Sequence, residues 1–124
     1  MIRSYKELNV WQIADDLAYM VFNFSKNFPK EYLYDLTNQL RRAALSVPTN
    51  IAEGCASSHD KEFIQFLNIS RRSLSETQYL LHFAKRQNLL DEKDFCELEA
   101  MSERVFKMTN ALISSIRSRT DKEH

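Results

Sequence analysis

The chain has almost none of the residues that interrupt helices. Its 124 residues include one glycine, Gly54, and two prolines, Pro29 and Pro48. Folds rich in β-strands need many turns, and turns draw heavily on glycine and proline. The scarcity excludes a turn-rich β architecture and predicts long helices joined by short loops. It also excludes a glycine-rich phosphate-binding loop and the glycine-flanked nucleophile elbow of the α/β-hydrolases.

Long apolar runs, clustered cysteines and a net charge are missing as well. No stretch approaches the roughly 18 apolar residues of a membrane span, and no apolar signal-peptide region follows the first residues. We therefore expect a cytoplasmic protein with no membrane partner.

Cys55 and Cys96 are isolated and are expected to be free thiols. Lys plus Arg and Asp plus Glu both total 17. The net charge therefore does not indicate a nucleic-acid-binding domain, and nucleic acid could bind only at a local basic patch.

Apolar residues recur at steps of three and four in four segments, which is the spacing of one helix face. These segments predict helices over residues 10–27, 31–53, 59–88 and 91–119, followed by a frayed tail. Short connections make neighbouring helices antiparallel. Residues 1–124 are therefore expected to form one all-α domain, an up-down-up-down antiparallel four-helix bundle.

The second segment contains one of the two prolines, Pro48, and the single glycine, Gly54, in RRAALSVPTNIAEG at positions 41–54. Pro48 has no N–H to donate to the carbonyl of Ala44, and its ring crowds that turn. The helix is therefore predicted to bend near Pro48 without ending there. Gly54 is expected to adopt the left-handed conformation that terminates a helix. Together the two residues predict a kinked second helix with a sharp stop.

Three segments carry a resemblance to a known family. They are LNVWQIADDLA near the start, FPKEYLYDLTNQLRRAALSVPTNIAEG at 28–54, and FIQFLNISRRSLSETQYLLHFA at 63–84. They closely resemble the four-helix-bundle proteins encoded in intervening sequences of bacterial 23S ribosomal RNA genes, a family that includes the accessory variability protein of diversity-generating retroelements. The asparagine-isoleucine-alanine-glutamate-glycine element, with Asn50 and Glu53, is among its diagnostic motifs. Arg72 departs from the family, which usually has glycine there.

The resemblance has implications for assembly and partners. It implies a barrel-like homopentamer of four-helix protomers. For retroelement members it also implies binding to a reverse transcriptase and to nucleic acid, RNA or DNA. It does not imply catalysis.

The residues themselves offer no constellation for catalysis or metal binding. Carboxylate-bridged metal bundles need glutamate and histidine three residues apart, whereas His59 and His82 have Ala56 and Tyr79 at that offset. His82 is instead expected to be a partly buried polar residue. Cys55 follows a helix end, where no helix dipole lowers the pKa of a thiol. We therefore predict a protein that is not an enzyme and uses no metal or cofactor.

Basic residues near the middle of the bundle are the candidate nucleic-acid or protein interface. The turn between the second and third helices is expected near residues 56–57, and the next turn near residues 89–90. Antiparallel packing places residues that are equally far from a turn at the same height. Six cations then fall near one height and are expected to form a girdle around the bundle. Its members are Arg41, Arg42, Arg71, Arg72, Arg104 and Lys107. The alternative, favoured by the balance of charges, is a set of structural salt bridges with Glu76, Asp15 and Asp16.

The first helix has a wider apolar face than one bundle seam requires. Its candidates for an oligomer interface are Trp11, Tyr19 and Phe22, with Tyr32 and Tyr34 farther along the chain. Large exposed apolar patches usually mark an interface, although aromatic residues also cap bundle ends. Two functions stay open. One is a homo-oligomeric scaffold that binds nucleic acid or a nucleic-acid enzyme, and the other is a self-assembling structural protein without a nucleic-acid role.

Overall fold

Four helices account for most of the chain. The computed structural model describes residues 4–123. The helices are α1 (Asn9–Ser25), α2 (Asn38–Cys55), α3 (Asp60–Arg86) and α4 (Glu92–Glu123). Each helix packs against the next, and α4 also packs against α1, which closes the bundle. Within the described residues no strand occurs. The predicted all-α four-helix bundle is confirmed.

Aliphatic side chains from all four helices fill the centre of the bundle. They repeat at steps of three and four along each helix, so each stripe faces inward. Burial of one such side chain contributes roughly 1.5–3 kcal/mol. The fully buried members are Leu17, Val21, Leu40, Val47, Ile51, Leu67, Leu74, Leu81, Leu98 and Val105.

Gly54 does not terminate α2 in the predicted way. No glycine has a positive φ, and Gly54 lies inside the helix, one residue before its end at Cys55. A Cβ on Gly54 would lie 2.8 Å from Cβ of Phe66 and 2.9 Å from Cδ1 of Phe63. The missing side chain therefore lets α2 pack closely on α3. Pro48 is buried inside α2, and the helix continues past it as predicted.

The left-handed helix ending occurs instead at the end of α3. Asn88 has a φ of 61°, and the amide of Leu89 donates to the carbonyl of Ala84 at 2.9 Å. This pattern of a left-handed residue and a long-range backbone bond is a Schellman-type ending. It turns the chain sharply toward α4.

The segment before α2 is irregular where a continuous helix was expected. A 3₁₀ turn at Lys30–Tyr32 leads into a π-helical turn at Leu33–Thr37. The amide of Asn38 reaches the carbonyl of Leu33, five residues back. The hydroxyl of Thr37 is buried in this turn and finds no hydrogen-bond partner among residues 4–123.

The fourth helix does not end at residue 119 as predicted, because α4 continues to Glu123; the last residue of the predicted tail, His124, lies outside the described residues. The last turns of α4 are tied to the start of α3. Nη2 of Arg119 lies 2.8 Å from Oδ1 of Asp60, and the hydroxyl of Thr120 donates to Oδ2 of the same carboxylate at 2.8 Å. These contacts hold the end of the longest helix against the bundle.

Candidate nucleic-acid interface

Two pairs of adjacent arginines and two cations of α4 form the candidate interface. Neighbouring helix residues point about 100° apart, and Arg41 and Arg42 divide between two seams of the bundle. Arg41 faces α1. Its Nε donates to the hydroxyl of Ser25 at 2.7 Å, Nη2 donates to the carbonyl of Phe22 at 3.4 Å, and Cζ lies 5.1 Å from the ring centroid of Phe22. Arg41 therefore holds α2 against α1.

Arg42 faces the other way, into an open groove between α2 and α3. The groove has a volume of about 530 Å³, and its polar lining includes Asp35, Ser46 and Glu76. Arg42 is exposed and makes no hydrogen bond or ion pair with the described residues. Oε2 of Glu76 accepts instead from Gln39 Nε2 at 3.2 Å. The guanidinium of Arg42 is therefore available to a partner.

Arg71 and Arg72 lie on the side of α3 that faces α4. Nη1 of Arg71 donates to Oδ1 of Asn110 at 2.7 Å, and Nη2 donates to Oδ1 of Asn68 at 2.6 Å. Arg72 is exposed and has no hydrogen bond or ion pair in the part of the chain that the structure describes. Its long side chain leaves the bundle. The guanidinium of Arg72 is therefore a free cation at the surface.

The six cations do not form a level girdle. The hydroxyl of Ser70 donates to the carbonyl of Val47 at 2.9 Å, and that of Ser73 donates to Ser46 Oγ at 2.9 Å. Arg71 therefore lies at the height of residues 46 and 47, about one helical turn from Arg41 and Arg42. The prediction was wrong because α2 continues to residue 55 and α3 begins only at residue 60, which shifts the centre of the turn.

Exposed Arg104 and Lys107 of α4 complete the set. Gln78 of α3 donates to Glu103 of α4 at 3.1 Å, and this pairing gives the register of the two helices. In that register Arg104 and Lys107 lie beside the segment of α3 that follows Arg72. The basic surface is therefore staggered along the bundle.

The predicted salt bridges are also wrong. The ion pairs among residues 4–123 join Lys85 to Glu92 at 2.5 Å and Arg119 to Asp60 at 2.8 Å, and neither contains one of the six cations. Arg72 precedes Glu76 by four residues, and this order of charges is the less favourable one on a helix. Arginine and carboxylate accordingly remain apart.

The three aromatic candidates of α1 have different environments. The rings of Trp11 and Tyr5 meet edge to face, with centroids 4.8 Å apart, and Phe22 lies under Arg41. Tyr19 is 70% exposed. Only Tyr19 of the three presents most of its ring to solvent.

A larger apolar surface lies on the α2–α3 side and was mostly missed from the sequence. Its side chains include Tyr34, 90% exposed, and Tyr79, 61% exposed. Tyr79 and Phe83 are four residues apart on α3, a helical spacing off the core stripe that could have signalled an outward face. They line an apolar groove of about 470 Å³ with Tyr32, Leu36 and Leu80.

Asn50 and Glu53, the motif residues near Pro48 and Gly54, have different environments. Nδ2 of Asn50 donates to the carbonyl and to the hydroxyl of Ser46, both at 2.8 Å. This side chain bridges one turn of α2 across Pro48 and supports the helix where proline lacks its own donor. Glu53 is exposed.

Within residues 4–123, the two thiols and the imidazoles of His59 and His82 form no site. Burial, with the charge of Glu7 adding to it, raises the pKa of the Cys55 thiol. A hydrogen bond to Glu92 is the main cause of the raised pKa of the Cys96 thiol. Both cysteines are free. His82 is exposed, so its predicted partial burial is wrong.

Neither a metal cluster nor a membrane span occurs in the described part of the chain. No group of three or more His, Cys, Asp or Glu side chains converges there on a point where a metal ion could bind. No helix formed by those residues combines the length and apolar character needed to cross a membrane.

Comparison with known proteins assigns the family. A family model described as 23S rRNA-intervening sequence protein matches residues 6–111. The chain belongs to this family. Four solved chains match the fold of this intervening-sequence protein. None of the curated proteins compared with it matches.

One of the solved structures is a protein of unknown function from the S23 ribosomal protein family of Bacteroides thetaiotaomicron. It is 24% identical, with a TM-score of 0.77, and the alignment covers 84% of the intervening-sequence protein and 97% of that chain. The likeness supports the fold of the bundle.

Proposed function

We propose that this intervening-sequence protein is a non-enzymatic homo-oligomeric scaffold, a pentamer of four-helix protomers, that acts in the cytoplasm and binds nucleic acid or a nucleic-acid enzyme such as a reverse transcriptase. The observation that carries the proposal is a set of exposed cations that form no ion pair with the described residues. Arg42, Arg72, Arg104 and Lys107 are exposed, and none has a hydrogen bond or ion pair with residues 4–123. Such a surface favours phosphate contacts even on a chain of zero net charge.

Retention of labelled RNA over a series of salt concentrations tests this role. Binding should weaken with salt, because each phosphate contact releases counterions. The double variant R42Q/R72Q should bind more weakly and show a flatter salt slope. Lys93→Gln removes an exposed charge outside the six cations and is the matched control. Retention that does not depend on salt or on the two arginines contradicts the nucleic-acid role.

Self-assembly without nucleic acid is the second candidate. The exposed apolar side chains on the α2–α3 side and Tyr19 on α1 favour it, because a monomer would leave these surfaces in water. Light scattering should give a mass near five times the 14.6 kDa of one chain. A monomer at micromolar concentration contradicts both candidates. An oligomer that retains no RNA and no reverse transcriptase supports the second.

A further inference from the structure

The groove between α3 and α4 combines two cations with an aromatic ring. It has a volume of about 410 Å³ and is lined by Asn68, Arg71, Arg72, Ser75 and Phe106. None of these lining residues is acidic. A ligand in this groove therefore meets positive charge, amide and hydroxyl groups, and one apolar face.

Arg71 is fixed in the groove without losing its charge. Its two hydrogen-bond partners, Asn68 and Asn110, are neutral carboxamides. The two bonds use two of the five N–H groups of a guanidinium, and the others remain for a ligand. Guanidinium groups match the oxygen geometry of phosphate. Arg71 is thus already positioned for an anionic group.

Arg72 adds a second, exposed cation to the groove. Arg72 itself makes no hydrogen bond or ion pair with the described residues. Two adjacent guanidinium groups, one fixed and one free, favour a backbone phosphate.

Phe106 favours a single-stranded over a double-stranded nucleic acid in this groove. Part of its ring packs against the core, and the residue also lines the groove. The bases of a duplex are stacked on one another and present no face to a protein ring, whereas an unpaired base stacks readily on an aromatic side chain. A ligand that offers only phosphate would make no use of the part of Phe106 that lines the groove.

We propose that this groove binds single-stranded nucleic acid, with a phosphate on Arg71 and Arg72 and a neighbouring unpaired base stacked on Phe106. The inference rests on the proposed nucleic-acid role and adds the strand form and the contact residues. RNA and DNA single strands share the chemistry that the groove recognises.

Fluorescence anisotropy with the full-length protein tests the base contact. The probes are oligouridine and oligothymidine of about 12 nucleotides, within the range of single-strand binding sites, and a duplex of the same length. Phe106→Leu should weaken single-strand binding about five- to a hundredfold, the loss expected from one stacked base, and leave duplex binding unchanged. Phe106→Tyr keeps the ring and should bind as the parent does. Phe24→Leu, which removes another half-buried aromatic ring that packs against the core but lies on α1 away from the groove, is the matched control.

The phosphate contact has a separate readout. Arg72→Gln should weaken binding to every single-stranded sequence and flatten the slope of log K against log salt by about 0.7. Phe106→Leu should leave that slope unchanged, because stacking releases no counterions. Comparison of oligouridine with oligothymidine then shows whether the groove also distinguishes RNA from DNA.

The inference and the proposed function fail in different ways. Equal affinity for single strands and duplex, with Phe106→Leu binding normally, overturns the inference and leaves a phosphate-binding scaffold. Failure of the parent protein to bind any nucleic acid overturns the nucleic-acid role itself. If Phe106→Leu does not fold, photocrosslinking of the parent protein to 5-iodouridine RNA replaces it. A crosslink at Phe106 supports the base contact, and crosslinks confined to other helices contradict it.

Discussion

Replacement of Gly54 by alanine is expected to destabilise the bundle, although alanine is the better helix former. The helix preference of alanine over glycine is worth about 1 kcal/mol. Against this, the new Cβ would lie 2.8 Å from Cβ of Phe66 and 2.9 Å from Cδ1 of Phe63. The Cβ of Phe66 is fixed to its backbone and cannot rotate away, so α2 and α3 must separate. Overpacking of this kind costs about 1–3 kcal/mol. After subtraction of the helix preference, we expect a net loss of up to about 2 kcal/mol in the free energy of unfolding.

Urea unfolding at a fixed protein concentration measures this loss. With a slope of about 2 kcal/mol per molar urea, the midpoint should fall by up to about 1 M. Ala111→Gly, at an exposed position in the middle of α4, reports the helix-preference term alone and is the control. A Gly54→Ala protein that is more stable than the parent would refute the close-packing role of Gly54.

Three further predictions concern α2, the end of α4 and the π-helical turn. Pro48→Ala should stabilise α2, because proline inside a helix costs about 3 kcal/mol relative to alanine; weaker assembly in light scattering would show that the interface depends on a bend at this position. Hydrogen bonds, first from the Thr120 hydroxyl and then from Arg119, lower the pKa of the Asp60 carboxyl. The stability that these bonds give is present above the unfolded pKa of about 3.9. It is lost as the pH falls through the folded pKa. Asp60→Asn should therefore melt lower than the parent at pH 7, and the difference should disappear in acid. Thr37→Val removes a buried hydroxyl without a partner and should raise the free energy of unfolding by about 1 kcal/mol, whereas Thr109→Val breaks a hydrogen bond of 2.7 Å and should not.

Helix number and order could be predicted from the sequence because they depend on local periodicity. The apolar residues of each helix recur three and four positions apart, and the low content of glycine and proline leaves few alternatives to a helix. Gly54 shows where this reasoning stops. A glycine near a helix end suits both a left-handed cap and a close interhelical contact. The outcome depends on Phe63 and Phe66, which follow it in another helix and whose position no local pattern specifies.

The candidate interface was predictable in composition and not in geometry. The six cations could be listed, but their heights depend on where α2 ends and α3 begins, and an error of two residues there moves Arg71 by most of a turn. Their partners were also unpredictable. Arg71 bonds to Asn68, one turn before it on α3, and to Asn110 on α4, and neutral amides leave no charge pattern in the sequence.

The π-helical turn at Leu33–Thr37 has a consequence for how the length of this chain can change. Such a turn holds one residue more than an α-helix of the same rise. Deletion of one residue there would convert it to an α-helical turn and leave every residue of α2 facing the same way. The same deletion in the middle of α2 would rotate all later residues of the helix by about 100° and turn its apolar stripe away from the core. Natural length variants of the second helix should therefore gain or lose their single residue between positions 33 and 37.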